Sequence, residues 1–454
     1  MKQDLTIPPV PMEPRPFHFP DFERFHLSNG LEVLLIERRE LPLVSINLCI
    51  KSSALADKST KEGTANFVTE LISEGTKTRS SEQIAEQLEF IAALFSAHTD
   101  WNAMHLDLNT LTQHLDTALD IFSDMVLNPV FPEQEFDRIR REILTERMRI
   151  VDNPAKLNAE HFIRTLYGAH RYGLPIEGVD NSVNNISIDD IKTYYQTHFV
   201  PGNSVLIFVG DIDRQQAEQV AEKYFSSWAQ GQLPLTAKLE FNQPAKTIVH
   251  LIDKPGAAQT ELRMGHLGIE RKNPDYFSVT LMNEILGGYF LSRINMNLRE
   301  KHGFTYGAGS NFSYRNGLGP FHINAAIQSE HTAKAVREVL YELEQIRNTL
   351  VSDDELKNAR GQLAGLFPIA FETADQVAMG LSNIVLSELP DNYYNTFRDN
   401  IAQISVQDIQ QAAKKYLHPK NIIVTVTGDR AVVEKELLEN FEVQAYDVQG
   451  NALE

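Results

Sequence analysis

Arg299 and Tyr306 stand seven residues apart in the segment LREKHGFTYGAGS, residues 298–310. A guanidinium fork and a phenol hydroxyl are donors able to fix a peptide carbonyl and to stabilise negative charge developing on its oxygen. Each also has an ordinary use, since an Arg at a helix C-terminus meets the dipole favourably and a Tyr opening a strand packs there. His98, His105 and His114 lie close in sequence without ligand spacing on a helix, and His161 and His170 are scattered, so all five read as surface or packing residues. Cys49 is the single cysteine, which excludes an internal disulfide or a cysteine-rich metal site. Neither a GxxxxGKS/T loop nor a post-strand GxGxxG occurs, so nucleotide chemistry has no support. Met12, Met104, Met125, Met148, Met264, Met282 and Met296 read as core fillers.

The elements that must position such residues repeat along the chain. Residues 186–211, ISIDDIKTYYQTHFVPGNSVLIFVGD, align without a gap onto residues 404–429, ISVQDIQQAAKKYLHPKNIIVTVTGD (404 − 186 = 218). The identities include Ser187/Ser405, Asp190/Asp408, Pro201/Pro419, Asn203/Asn421, Gly210/Gly428 and Asp211/Asp429. Both copies predict a Ser N-cap with Asp in the first turn, a helix, a Pro-x-Asn turn and a β-rich run closed by Gly-Asp. Upstream, Thr117 to Met125 and Ala335 to Leu343 carry helix-period apolar residues, and each precedes a capped helix, from Pro132 and from Ser352. In the first half, strands around Glu32 to Ile36 and Val44 to Lys51 lead to a helix from about Gly63. The fold class expected is α+β: two homologous domains, each a mixed, mostly antiparallel sheet packed against helices.

At 454 residues, 42% apolar and with a formal charge of −19, the chain is large enough for two or three domains and too acidic to favour nucleic acid or an anionic membrane surface. No run approaches the roughly 20 apolar residues of a membrane span; Val205 to Val209 has strand length. Pro8, Pro9, Pro11, Pro14, Pro16 and Pro20 predict an extended N-terminal arm over 1–21. The first domain then spans 22–232, a polar linker bracketed by Pro234 and Pro244 spans 233–246, the second domain spans 247–446, and a tail covers 447–454. No basic-then-apolar signal segment opens the chain, so the compartment expected is the cytoplasm, or the periplasm with the targeting segment absent.

GTANFVTELISEGT at 63–76, followed some 80 residues on by ILTERMRIVDNP, resembles the M16 family of zinc peptidases (the pitrilysin and mitochondrial processing peptidase group) from about Phe22 to Glu442. The family's signature is His-x-x-Glu-His on a helix, in which two histidines bind Zn²⁺, the Glu activates water and a Glu on a later helix completes the site. Aligned through Gly75-Thr76, the resemblance sets Asn66 at the first histidine, Thr69 at the catalytic Glu, Glu70 at the second histidine and Glu146 at the distant acid. An Asn amide is a poor zinc ligand beside imidazole, and Thr69 has no useful basicity. Glu70, Glu146 and the Asn66 carbonyl leave only a weak oxygen set for a hard cation.

Arg299, Gly303 and Tyr306 resemble the family's Arg-x-x-x-Gly-x-x-Tyr element, whose Arg and Tyr bind the substrate backbone near the scissile carbonyl; Gly287-Gly288 resembles its glycine turn, but a helix C-cap explains the pair fully. What this implies is the non-catalytic subunit of a heterodimeric peptidase. No cofactor is expected in this chain, zinc is expected in a His-x-x-Glu-His partner, and the substrates are short or unfolded peptides. The alternative is a structural or peptide-binding homologue without a peptidase role.

Overall fold

A computed structural model describes residues 16–232 and 246–454; most of the expected linker and the first fifteen residues of the arm lie outside the described residues. The first half contributes β1 (Glu23–His26), β2 (Glu32–Glu37), β3 (Leu43–Ile50), β4 (Leu94–Thr99), β5 (Met104–Leu111) and β6 (Ser204–Gly210). The second contributes β7 (Ile248–Asp253), β8 (Thr260–Leu267), β9 (Ala308–Phe312), β10 (Pro320–Ile327), β11 (Ile423–Gly428) and β12 (Val443–Tyr446). They form two six-stranded sheets of matching order, β1-β2-β6-β3-β5-β4 and β12-β7-β11-β8-β10-β9. In both the pair β2–β6 or β7–β11 is parallel and the strands beyond it are antiparallel. The outer strand differs: β1 enters antiparallel from the N-terminus, whereas β12 arrives parallel from the C-terminus.

The repeated segment explains why the halves match. Ser187 and Ser405 each close a capping box, with Asp190 N–H bonding Ser187 Oγ and Ser187 N–H bonding Asp190 Oδ2 (3.3 and 2.9 Å), and the second copy reproducing this at 3.2 and 2.8 Å. Helices Ile188–His198 and Val406–Tyr416 follow, then the buried strands β6 and β11. A Cβ on Gly210, at φ +147°, would lie 2.1 Å from the Leu43 carbonyl oxygen, so the crossing of β3 demands glycine. Pro132 precedes its helix without any side-chain cap, unlike Ser352, which closes a capping box with Glu355.

Each half lends a helix to the other half's sheet. We label Thr64–Leu71 α1, Glu133–Ile150 α2, Pro154–Tyr167 α3 and Ala374–Leu386 α4. α3 lies across β8 and β11, and its counterpart α4 lies across β3 and β6. The buried Asn158 pins α3, donating to the Glu261 carbonyl (2.9 Å) and Thr427 Oγ1 (3.2 Å) and accepting from Thr425 Oγ1 (2.9 Å). Ser382 pins α4, donating to Asn47 Oδ1 at 2.8 Å. β2 and β6 are therefore covered on both faces: Val33, Leu35, Leu206 and Phe208 face their own helices, while Leu34, Ile36, Val205, Ile207 and Val209 belong to the second half's core. That double burial is why Val205 to Val209 reads as an unbroken apolar run. Phe17 and Phe19 continue the exchange by packing on Phe367, Phe371 and Tyr394. Met104, Met125, Met264 and Met282 are core residues as expected, but Met148 and Met296 are exposed, and Met12 lies outside the described residues.

Candidate functional site

α1 starts at Gly63, whose φ of +109° and close approach to the Glu177 carbonyl admit no side chain. Gly63 has no side chain to accept a capping bond, and Asp57 takes over, its carboxylate accepting from the Gly63 and Ala65 amides at 2.8 Å each. Arg171 pairs with Asp57 at 3.0 Å and donates to the carbonyls of Leu174, Pro175 and Ile176, so one guanidinium fixes both the start of α1 and the loop leading to Glu177.

One turn apart on α1, Asn66 and Glu70 open onto a cleft of about 460 Å³ shared with Glu142 and Glu146 of α2, Lys156 and Glu160 of α3, and Glu177. The cleft thus assembles three of the four residues that the motif alignment singled out. Thr69 is turned away: its buried hydroxyl donates to the Asn66 carbonyl (2.9 Å) and lies 3.0 Å from Thr99 Oγ1 on β4. Burial, then the nearby Glu142 and Glu74, push the Glu70 carboxyl above its ordinary range. The exposed Glu146 accepts from Lys156 Nζ at 2.8 Å, which holds its carboxyl below that range. The polar lining is one amide, several carboxylates, the Lys156 ammonium already bonded to the distant acid and the Arg147 guanidinium paired with Glu160 and Asp180, with no imidazole. That set is a poor fit to zinc, which favours imidazole and thiolate. It can attract a cationic group, and Thr69, at the position of the motif's water-activating Glu, turns its hydroxyl away from it.

Arg299 and Tyr306 stand elsewhere, since every residue lining this cleft belongs to the first half. Arg299 lies in a π-turn, Met296–Lys301, with its guanidinium stacked 4.5 Å from the Phe290 ring. Gly303, at φ +67°, ends the helix: its amide reaches the Arg299 carbonyl (3.1 Å) and the Phe304 amide reaches that of Leu298 (2.9 Å), a left-handed glycine closure one residue wider than on an α-helix. Tyr306 follows on the loop before β9, 90% exposed. Thr305 stiffens that loop by bonding both the amide and the carbonyl of Gly307. Gly287-Gly288 is no left-handed C-cap, contrary to the C-cap reading. The pair closes a π-turn, Glu284–Gly288, and a Cβ on Gly287 would sit 2.4 Å from Ser310 Oγ, so close passage of β9 demands the glycine.

Sequence reasoning missed Glu142, Lys156 and Glu177. Glu142 precedes Glu146 by one helical turn and was legible by periodicity; Lys156 and Glu177 carry no local signal, because chain reversal after α2 brings them in. The histidines split. His105 is buried, 3.4 Å from Cys49 Sγ and 3.6 Å from Asp100, and stacks on the half-exposed His98.

Two repeated α+β units with exchanged helices and an acidic cleft over α1 define the class. The description "Insulinase (Peptidase family M16)" matches residues 32–180 and "Peptidase M16 inactive domain" matches 185–363. An uncharacterized zinc protease of Rickettsia felis is 30% identical over 346 residues, 76% of this chain and 82% of the relative. The mitochondrial-processing peptidase subunit beta of Lentinula edodes is 23% identical, covering 89% of each. Among solved structures, a peptidase M16 inactive domain from Pseudomonas fluorescens superposes with a TM-score of 0.84 at 27% identity, covering 90% of this chain and 98% of that one. A protease from Helicobacter pylori reaches 0.83 at 19%, covering 90% and 100%. The chain belongs to the M16 peptidase family. Among the described residues no helix is long and apolar enough to cross a membrane.

Proposed function

We propose that this chain is the substrate-gripping subunit of a two-chain M16 peptidase whose metal-bearing active site lies in a His-x-x-Glu-His partner. Bond cleavage then belongs to the partner. Arg299 and Tyr306 donate hydrogen bonds to the peptide backbone, orient it, and stabilise charge growing on the scissile carbonyl oxygen. The observation that carries the reading is the contrast between the two halves: a phenol and a guanidinium presented at the surface by a glycine-turned segment, against a cleft whose donors do not suit zinc and where Thr69, in place of the water-activating Glu, is turned away. A side chain held 90% exposed, with no hydrogen bond among the described residues, is free to act on another molecule.

The test is reconstitution. The chain alone is expected to cleave no fluorogenic peptide and to carry no stoichiometric zinc, and mixing it with a His-x-x-Glu-His sister encoded beside it is expected to yield activity well above the sister's own. A mixture no more active than the sister would replace this reading with that of a structural homologue. One zinc per purified single chain would replace it with a stand-alone metallopeptidase.

A further inference from the structure

Far from the acidic cleft in sequence, a cavity of about 360 Å³ opens where the β4–β5 hairpin of the first half meets helices of the second. Its walls are aromatic: Tyr276, Tyr314, Phe367, Tyr394 and Phe397, with the buried Tyr393 among them. Arg271 also lines it, its guanidinium lying 3.8 Å from the Tyr276 ring centroid and 4.7 Å from that of Tyr393. Stacking of this kind aims a guanidinium without neutralising it. Among the described residues no carboxylate stands within ion-pair distance of Arg271. Glu270, next to it in the chain, is exposed and makes no ion pair with it, Asp275 is engaged by Lys415 and Tyr416 at 2.7 Å each, and Glu388 by Lys272. The Tyr393 hydroxyl is buried beside this guanidinium with no partner of good hydrogen-bond geometry. Asn102, Asn383 and Ser387 complete the lining with neutral donors.

The geometry points to a binding site for a monocarboxylate with an apolar, preferably aromatic, body. Ring stacking suits the body, and the volume falls within the range of small-ligand pockets. One planar fork, one spare hydroxyl and amide donors suit a carboxylate. A phosphate dianion is disfavoured, because Arg271 is the one cation lining the cavity and the chain carries a charge of −19. The same chemistry is offered by a free aromatic acid and by the C-terminal residue of a peptide. Because Asn102 comes from the first half and the remaining walls from the second, such a ligand would bridge the halves.

Calorimetric titration of the full chain, with no partner present, decides the matter independently of the peptidase reading. 3-Phenylpropionate is expected to bind saturably, and 3-phenylpropionamide about tenfold more weakly or worse. Arg271→Gln is expected to abolish the difference between acid and amide. Equal binding of acid and amide, no heat from either up to the solubility limit, or an unchanged Arg271→Gln would each overturn the assignment. Should Arg271→Gln fail to fold, the exposed Asn383→Leu serves: severalfold weaker acid binding supports the site and undiminished binding overturns it. Ala-Ala-Phe with a free C-terminus, set against its amidated form, separates the sources. Acid-selective binding of the peptide identifies a peptide C-terminus, and binding of 3-phenylpropionate alone identifies a small free acid.

Discussion

Tyr306→Phe removes one oxygen and nothing else, which makes it the sharpest perturbation of the proposed complementation. The Tyr306 ring is 90% exposed, and its hydroxyl makes no intrachain hydrogen bond among the described residues. Its loss should therefore change folding stability by no more than about 0.5 kcal/mol, the usual range for surface substitutions. If the hydroxyl instead donates to an oxyanion in the partner's site, its removal should cost about 2.7–4 kcal/mol of transition-state stabilisation, roughly 10²–10³ in turnover. The two magnitudes do not overlap, so one pair of experiments separates them. Thermal or urea unfolding of the single chain reads the first, and peptide hydrolysis by the reconstituted pair, with kcat and KM determined separately, reads the second. The expected signature is an unchanged unfolding midpoint and a fall in kcat with KM nearly constant. A turnover within about threefold of the parent pair, against the roughly 10²-fold loss expected for an oxyanion donor, would refute the role of Tyr306 and the complementation resting on it.

Arg299→Ala should lower turnover of the pair comparably, but at a visible cost in stability of about 0.5–1 kcal/mol, because it also removes the stack on Phe290; differential scanning calorimetry of the single chain checks this. Asn66→His, Thr69→Glu and Glu70→His introduced together, with Glu146 retained, should confer one bound zinc per chain by elemental analysis, and no gain in zinc would show that the motif does not map onto these positions. Asn158→Ala should destabilise the chain by about 2–3 kcal/mol in urea titration, since it removes three hydrogen bonds under α3 and leaves the Thr425 hydroxyl only its 3.3 Å bond to the Arg263 carbonyl. Burial raises the Glu284 carboxyl to about 7 from an ordinary 4.5, so the folded state binds more protons than the unfolded one between those values. Stability is then expected to fall as pH rises from 4.5 through 7, and Glu284→Gln should flatten that part of the curve.

What could be read from the chain beforehand was local or periodic. The duplicated 186–211 and 404–429 segments, their Ser-Asp capping boxes and the alternating strands encode their structure within a few neighbouring residues, and those neighbours are fixed by covalent connection. The spacing from Asn66 to Glu146 was legible in the same way, through the resemblance it carried. Other features had no local signature. The reciprocal lending of α3 and α4, the salt bridge from Lys156 to Glu146, the inward turn of Thr69, the docking of Phe19 on the second half and the stacking of Arg271 over Tyr393 each depend on which surfaces meet after the chain has doubled back. Burial and pairing energies of that kind depend on distance in space, and a sequence records only distance along the chain.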